Sequence, residues 1–112
     1  MDNTNEILDT ISDEQSREII KLLSTSELNI QQISDSLNIP LSTVYRKVKK
    51  LDELKLIKKT KVVRTLEGLN ESYYKNWIYE IVITYRDGNL SYTLEHAKIE
   101  EKIVRLWQKF SE

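Results

Sequence analysis

Two helical patterns meet at a stiff joint between residues 30 and 51, and this junction constrains the fold more than any other part of the chain. Each pattern is a stripe of apolar residues at helical spacing, first Ile30, Ile33 and Leu37, then Leu41, Val44, Val48 and Leu51. Between the stripes, Asn38 tolerates the left-handed backbone that ends a helix, and Pro40 suits the first position of the next helix. Two short helices joined in this way form a helix-turn-helix.

The second helix of this pair, predicted over about residues 40–54, turns a basic face away from its apolar stripe. That face begins with small hydroxyl donors, a tyrosine and a guanidinium and continues with lysines: Ser42, Thr43, Tyr45, Arg46, Lys49 and Lys50. Recognition helices carry base-reading side chains and phosphate-binding side chains in such places. The alternative is an ordinary solvated surface, but Glu53 is the only glutamate well placed to balance a lysine, four residues after Lys49. The pattern therefore favours nucleic-acid binding.

The charge of the chain is segregated along the sequence, although the total is only −1. Residues 1–39 hold eight acidic and two basic side chains, a net charge of −6, whereas residues 40–64 hold nine basic and two acidic side chains, a net charge of +7. A polyanion would meet one positive patch on a body that otherwise repels it. Such a distribution orients the encounter as well as attracting the partner.

Length and composition limit the class of protein. A chain of 112 residues suits one small domain with a core of its own. The absence of cysteine excludes disulfides, thiolate zinc sites and thiol catalysis. No apolar run approaches the roughly 20 residues needed to span a bilayer, and the acidic first residues are unlike a secretory signal. We therefore expect a cytoplasmic protein.

The residues before the joint predict three further features. Residues 1–11 are polar apart from Ile7, Leu8 and Ile11, and they predict a flexible or weakly ordered lead or one extra helical turn. Ser12 and Gln15 have the spacing of a capping box, which predicts a helix over about residues 13–24. Asn29 is a suitable N-cap for the helix over residues 30–37.

After residue 57 the pattern changes from helical to extended. Residues 57–66 and 73–85 are rich in β-branched and aromatic side chains, which predicts two strands joined by a loop over residues 67–72. A turn over residues 86–89 and a short strand over residues 90–93 follow. Alternate side chains of the second strand are expected to form one face that covers the helices: Trp77, Tyr79, Ile81, Ile83 and Tyr85.

The segment from Pro40 to Leu51, followed by Leu54-Lys55-Leu56-Ile57 and a basic hairpin, resembles the winged helix-turn-helix transcriptional regulators of the small ArsR-like type found in prokaryotes, notably archaea. The resemblance covers about residues 12–85 in organisation, and its specific motif is confined to about residues 30–66. It implies a dimeric DNA-binding regulator whose third helix enters the major groove and whose hairpin touches the backbone or the minor groove. It also implies that Lys59, Lys61 and Arg64 lie on the hairpin and contact the DNA.

Three departures from the family pattern are visible. Lys55 stands where glycine is common, which predicts either a strained turn or a different helix end. Glu67 and Glu71 flank the tip of the hairpin, so phosphate contacts by its strands are favoured over minor-groove reading by its tip. The cysteine thiolates of metal-sensing members are missing, so regulation by metals through that chemistry is excluded.

The end of the chain predicts an amphipathic helix over residues 94–112. Its apolar stripe needs a cover, and we expect that cover to be a second copy of the chain, although packing in cis on its own domain is the alternative. The expected interface residues are Ile99, Ile103, Leu106, Trp107 and Phe110.

Nothing in the sequence indicates an enzyme. His96 is the only histidine, and one imidazole does not make a metal site. Only Gly68 and Gly88 are available for a phosphate-cradling loop, so no nucleotide cofactor is expected. Aromatic side chains of the strands would line a small-molecule pocket in one interpretation, but strand aromatics are more often packing.

The sequence thus predicts an α+β fold, mainly α with a small antiparallel wing, in which residues 12–93 form the domain and residues 94–112 the dimerisation helix. The predicted function is sequence-specific binding of double-stranded DNA by a homodimeric transcription regulator. The alternative is a winged helix used as a protein-interaction module whose basic face meets an acidic partner. The operator, the target genes, the direction of regulation and any effector are not encoded in a readable pattern.

Overall fold

Four helices and five strands are present in the computed structural model, which describes residues 3–98. The elements in chain order are α1 (Thr4–Ser12), α2 (Glu14–Leu23), β1 (Leu28–Asn29), α3 (Ile30–Leu37), α4 (Leu41–Glu53), β2 (Ile57–Arg64), β3 (Asn70–Asn76), β4 (Ile78–Arg86) and β5 (Asn89–His96). The predicted α+β winged helix-turn-helix is therefore confirmed. α3 and α4 form the helix pair, and β2 and β3 form the wing.

The core lies where α1, α2, α3 and α4 meet the base of the wing. Its largest fully buried side chains are Ile7, Ile19, Leu23, Ile33, Val44, Val48, Leu51, Leu56 and Ile57. The predicted apolar stripe of α4 is buried over its last three positions. The first position is different, because Leu41 is 48% exposed.

The amino-terminal lead is helical, contrary to the flexible or weakly ordered lead predicted for residues 1–11. α1 packs against the core through Ile7, which is 1% exposed, and Thr4 and Thr10 are buried beside it. A short helix gains most of its stability from tertiary packing. The few apolar residues of this segment therefore did not predict the full helix.

The start of α2 is capped by Asp13 rather than by the predicted Ser12–Gln15 capping box. The Asp13 carboxylate accepts hydrogen bonds from the Ser16 backbone N–H at 2.9 Å and from the Ser16 hydroxyl at 2.7 Å. The Ser12 hydroxyl instead donates to the carbonyl of Asp9, in the last turn of α1, at 2.8 Å. Aspartate at an N-cap satisfies an orphan N–H and places negative charge at the positive end of the helix dipole.

Asn29 caps α3 as predicted. Its side chain accepts from the Gln32 N–H at 2.8 Å, and its own N–H donates to the Gln32 side chain at 3.0 Å, which completes a capping box. At the other end, Asn38 adopts the predicted left-handed conformation with φ of 54°. The N–H of Ile39 then bonds back to the carbonyl of Ser34 at 3.3 Å, so the helix ends and the chain turns.

Pro40 lies one position earlier than predicted, as the N-cap of α4 with φ of −54° and ψ of 140°. Its carbonyl accepts hydrogen bonds from the N–H groups of Thr43 and Val44, both at 3.0 Å. The fixed φ of proline and the left-handed Asn38 leave the joint between α3 and α4 little freedom. The angle between the two helices is consequently set by backbone geometry.

α4 ends in a Schellman motif at Lys55. The Lys55 N–H bonds to the carbonyl of Asp52 at 3.0 Å, and the Leu56 N–H bonds to the carbonyl of Leu51 at 2.9 Å. Lys55 has φ of 61°, so it takes the strained conformation that glycine would adopt without a steric cost. The first of the two outcomes predicted for this departure is confirmed.

The strand predicted over residues 73–85 is two strands in different sheets. The first sheet has the order β1-β3-β2, with β3 antiparallel to both neighbours, and the second pairs β4 with β5. Trp77 separates β3 from β4, and the loop between β2 and β3 spans residues 65–69 rather than 67–72. The sheets diverge at a single residue, which alternation of side chains cannot reveal.

The face predicted to cover the helices is wrong in part. Tyr79 and Tyr85 are 71% and 74% exposed, while Ile81 is packed against the edge of the core. A register shift between Ile78 and Glu80 interrupts the alternation on which the prediction relied.

The predicted turn between β4 and β5 is confirmed. Asp87 and Gly88 both have positive φ, 52° and 80°, as a two-residue hairpin turn requires. β5 is longer than the predicted strand over residues 90–93 and includes residues 94–96, so no helix begins at residue 94. The predicted dimer residues, 99 to 110, lie outside the described residues.

Asp13 also holds α2 against α4. Its carboxylate lies 2.6 Å from the Lys47 Nζ, and this hydrogen bond is the main reason that the pKa of Asp13 falls from 3.8 to about 2. A carboxylate whose pKa is depressed in the folded state stabilises the fold above its unfolded pKa, and the contribution disappears as the pH falls through the folded pKa. This contribution is therefore present above about pH 4 and disappears towards pH 2.

We predict that Asp13→Asn removes this part of the acid sensitivity, because the amide keeps a capping oxygen but carries no charge. At pH 7, the free energy of unfolding of Asp13→Ala should be about 1 kcal/mol lower than that of Asp13→Asn, because alanine also removes the N-cap hydrogen bond. Urea unfolding at pH 7, 4 and 2.5 measures both effects. A decline between pH 4 and pH 2.5 as large in Asp13→Asn as in the wild type would contradict the assignment.

Candidate nucleic-acid interface

The outer face of α4 carries most of the predicted contact residues. Ser42, Tyr45, Arg46 and Lys49 are exposed, and Thr43 and Lys50 are half-buried. They are held in place from below, because Val44, Val48 and Leu51 are at most 1% exposed. A rigid, buried stripe on one side of the helix fixes the direction of the polar side chains on the other.

A groove of about 730 Å³ separates the first turns of α4 from the wing. It brings together Ser42 and Tyr45 of α4 and Lys59 of β2, three residues that the sequence predicts for one site. The sequence did not predict the other lining residues as part of a DNA-binding site: Asn29, Ile30, Gln31, Leu41, Asn70, Ser72 and Tyr74. Glu71, which also lines the groove, was noted only as an acidic residue beside the tip of the hairpin. The groove forms because the capped start of α3, the start of α4 and the paired strands β2 and β3 converge.

The later turns of α4 face a different neighbourhood. Arg46, Lys49 and Lys50 line a second groove, of about 420 Å³, with Asp9 and Asp13 on the opposite wall. The predicted contact residues thus divide between two sides of one helix. The acidic amino-terminal helices lie beside the basic half of α4, so the segregated charges of the sequence meet in space. The expectation of one separate positive patch is therefore wrong in part.

Two lysines of α4 form ion pairs with carboxylates of the amino-terminal segment. Lys47 binds Asp13, and its side chain is only 15% exposed, so it is a structural residue. Lys50 lies 3.2 Å from the Glu6 carboxylate, with 42% and 52% of the two side chains exposed. An exposed pair of this kind contributes about 0–1 kcal/mol, so a phosphate can compete with Glu6 for Lys50.

The wing presents Lys59, Lys61 and Arg64 on β2, and all three are exposed. The Lys61 Nζ lies 4.7 Å from the centre of the Tyr73 ring on the paired strand, which supports its stem without burying its charge. A register shift lies between Lys59 and Lys61, which pair with the adjacent residues Tyr74 and Tyr73. The two lysines therefore lie on opposite faces of the sheet. The three cations are therefore on one strand but are not one row.

An aromatic stack connects the second sheet to the end of α4, and sequence reasoning missed it. The rings of Trp77 and His96 are 3.8 Å apart and nearly parallel, at 16°, and the Lys58 Nζ lies 5.0 Å from the Trp77 ring. The His96 Nε2 is 2.9 Å from the carbonyl of Lys55, at the Schellman turn. His96 is thus a packing residue at the end of β5 and not part of the helix predicted over residues 94–112. No signal in the sequence could have paired residues so far apart.

Two other findings concern the described part of the chain, residues 3–98. It holds no group of three or more histidine, cysteine, aspartate or glutamate side chains arranged to bind a metal ion. Among its helices, none has both the length and the apolar character needed to cross a bilayer.

Comparison with known proteins gives a family match over part of the chain. Residues 13–59 match the family model described as bacterial regulatory protein, arsR family. No curated protein gives a significant match to the chain. The matched segment starts at the Asp13 cap of α2 and ends in β2, so it contains the helix pair and the start of the wing. These residues are therefore similar to the helix-turn-helix of arsR-family bacterial regulators, and the fold and the match together support a DNA-binding transcriptional regulator.

Proposed function

We propose that the protein is a homodimeric transcription regulator that binds double-stranded DNA with sequence specificity, placing α4 in the major groove. The observation that carries this proposal is the joint exposure of two sets of side chains: Ser42, Tyr45, Arg46 and Lys49 on α4, and Lys59, Lys61 and Arg64 on β2. The major groove, about 12 Å wide, admits an α-helix of about 10–12 Å diameter. The family match over residues 13–59 supports the same activity.

The residues of α4 divide into two roles. Ser42, Thr43, Tyr45 and Arg46 lie in the first half, where a recognition helix meets base edges. The Arg46 guanidinium is the donor best suited to bind a guanine through two hydrogen bonds. Lys49 and Lys50 follow in the second half and bind phosphates, with Lys50 exchanging Glu6 for a phosphate oxygen.

The wing strands bind the backbone of the duplex. Lys59 and Lys61 are exposed on β2, and Arg64 lies where the strand ends. The side chains at the turn are Leu66, which is fully exposed, and Glu67, which would repel a phosphate. Backbone contacts by the strands position α4 without reading the sequence.

The dependence of binding on salt separates this function from its alternative, a protein-interaction module with an acidic partner. About six phosphate contacts predict a log-log slope of roughly −5 for the association constant against salt concentration. A protein partner held by buried apolar surface would depend on salt much less. Fluorescence anisotropy with random duplex DNA at 50–300 mM salt measures the slope, and a slope near zero or no binding at 50 mM would overturn the proposal.

Three substitutions separate base reading from phosphate binding. Arg46→Ala should lower the discrimination between cognate and random duplexes by about 1–3 kcal/mol, whereas Lys59→Ala or Lys61→Ala should weaken binding to all duplexes alike. Lys21→Ala is the matched control, because Lys21 is exposed on α2, in the groove next to β4 rather than on the basic face. Equal losses on cognate and random DNA for Arg46→Ala would remove Arg46 from the base-reading role.

Dimerisation is proposed through the segment that follows β5, with Ile99, Ile103, Leu106, Trp107 and Phe110 as the interface. The hairpin that precedes this segment carries an apolar face that is only partly used by the core, against which Ile81, Tyr92 and Leu94 pack. Residues opposite each other in the hairpin of β4 and β5 share a face, and three such pairs are apolar: Ile81 with Leu94, Ile83 with Tyr92, and Tyr85 with Leu90. The pair nearest the turn extends beyond the core, since Tyr85 is 74% exposed.

We predict that Trp107→Glu converts the dimer to a monomer, because a charge at a dimer interface is buried without a partner. Gln108→Glu adds the same charge to the next residue, off the apolar stripe, and should leave the dimer intact. Sedimentation equilibrium gives the mass of each variant. An unchanged dimer mass for Trp107→Glu would contradict the interface, and a monomeric wild type would remove the dimer from the proposal.

A further inference from the structure

An apolar strip borders the polar face of α4, and hydrogen bonding to DNA does not use it. Leu41 is 48% exposed and Tyr45 is 59% exposed, and both line the groove between α4 and the wing. They are one turn apart, so at 3.6 residues per turn they differ in direction by about 40°. Their side chains therefore form one continuous apolar surface beside Ser42.

The position of Leu41 on the helix explains why the core does not cover it. The buried stripe is centred near Val44, Val48 and Leu51, and Leu41 is displaced from that centre by about 50°. It lies at the beginning of the helix, directly after the Pro40 turn, where the wing is across an open groove. A single exposed leucine needs no explanation, but this leucine lies next to an exposed tyrosine in the candidate site.

Only one base edge in the major groove offers an apolar group. Thymine carries a C5-methyl there, whereas the other bases present hydrogen-bond donors and acceptors. We propose that Leu41 and the ring of Tyr45 each contact a thymine methyl in the bound duplex. This inference rests on the proposed function and specifies the bases that α4 prefers.

The spacing of the two side chains fits the duplex. Four residues of helix rise by about 6 Å, and successive base pairs are about 3.4 Å apart. Leu41 and Tyr45 therefore address methyls that lie about one to two base pairs from each other. The polar side chains between and beside them, Ser42 and Arg46, address the neighbouring base edges.

The test replaces thymine by uracil in a bound duplex. Uracil keeps every hydrogen-bonding group of thymine and lacks only the methyl, so phosphate contacts remain in place. A duplex is first selected from a random pool with the full-length protein, and each thymine is then changed singly to uracil. The wild type should bind about four-fold more weakly for each contacted methyl, the effect of about one buried carbon group.

Variants of the protein assign the effect to Leu41. Leu41→Ala should bind the thymine duplex about four-fold more weakly than the wild type and should be indifferent to uracil at one position. Val82→Ala is the control, since Val82 is similarly exposed, at 44%, but lies on β4. It should retain the full difference between thymine and uracil.

The possible results distinguish a failure of this inference from a failure of the proposed DNA binding. Steep salt dependence with no effect of uracil at any position would overturn the reading of methyls and leave DNA binding intact. An undiminished response to uracil in Leu41→Ala would assign the methyl to another side chain and overturn the role of Leu41. A failure to select any duplex, with no salt-dependent binding, would overturn both proposals together.

Discussion

The left-handed turn at Asn38 is the constraint on which the rest of the structure depends. It ends α3 within one residue, and Pro40 then fixes the direction in which α4 begins. Since Val44, Val48 and Leu51 are buried in the core, α4 has one orientation about its axis as well as one direction. The candidate base-reading face is thereby rigid before any ligand arrives, which reduces the entropy lost on binding.

The distribution of charge gives this rigid helix two different sides. Next to the wing, Ser42, Tyr45 and Lys59 border an open groove, whereas towards α1 and α2 the basic residues meet carboxylates. Lys47 is committed to Asp13, and Lys50 is paired with Glu6 at the surface. A positive patch with acidic surroundings favours one docking orientation for a polyanion over all others. The amino-terminal helices therefore shape the site as well as the core.

Local chemistry made much of the helix pair predictable. The cap at Asn29, the end of α3 at Asn38 and the strained turn at Lys55 each depend on the conformations open to one residue and its near neighbours. The exposure of Ser42, Tyr45, Arg46 and Lys49 followed from helical spacing against an apolar stripe. Two of the wrong predictions have a different origin. α1 and the break at Trp77 depend on contacts with residues distant in the chain.

The sequence by itself determined the succession of α2, α3 and α4, the joint between α3 and α4 and the single basic segment, because capping, φ preferences and periodicity act over a few residues. Only the tertiary structure decided which side of α4 meets the wing, which lysines the acidic helices engage and where β3 gives way to β4. These features arise when distant segments pack together, and the local sequence of one segment does not specify how it packs against another. The stack of Trp77 on His96, joined to the end of α4 through the carbonyl of Lys55, is the clearest example.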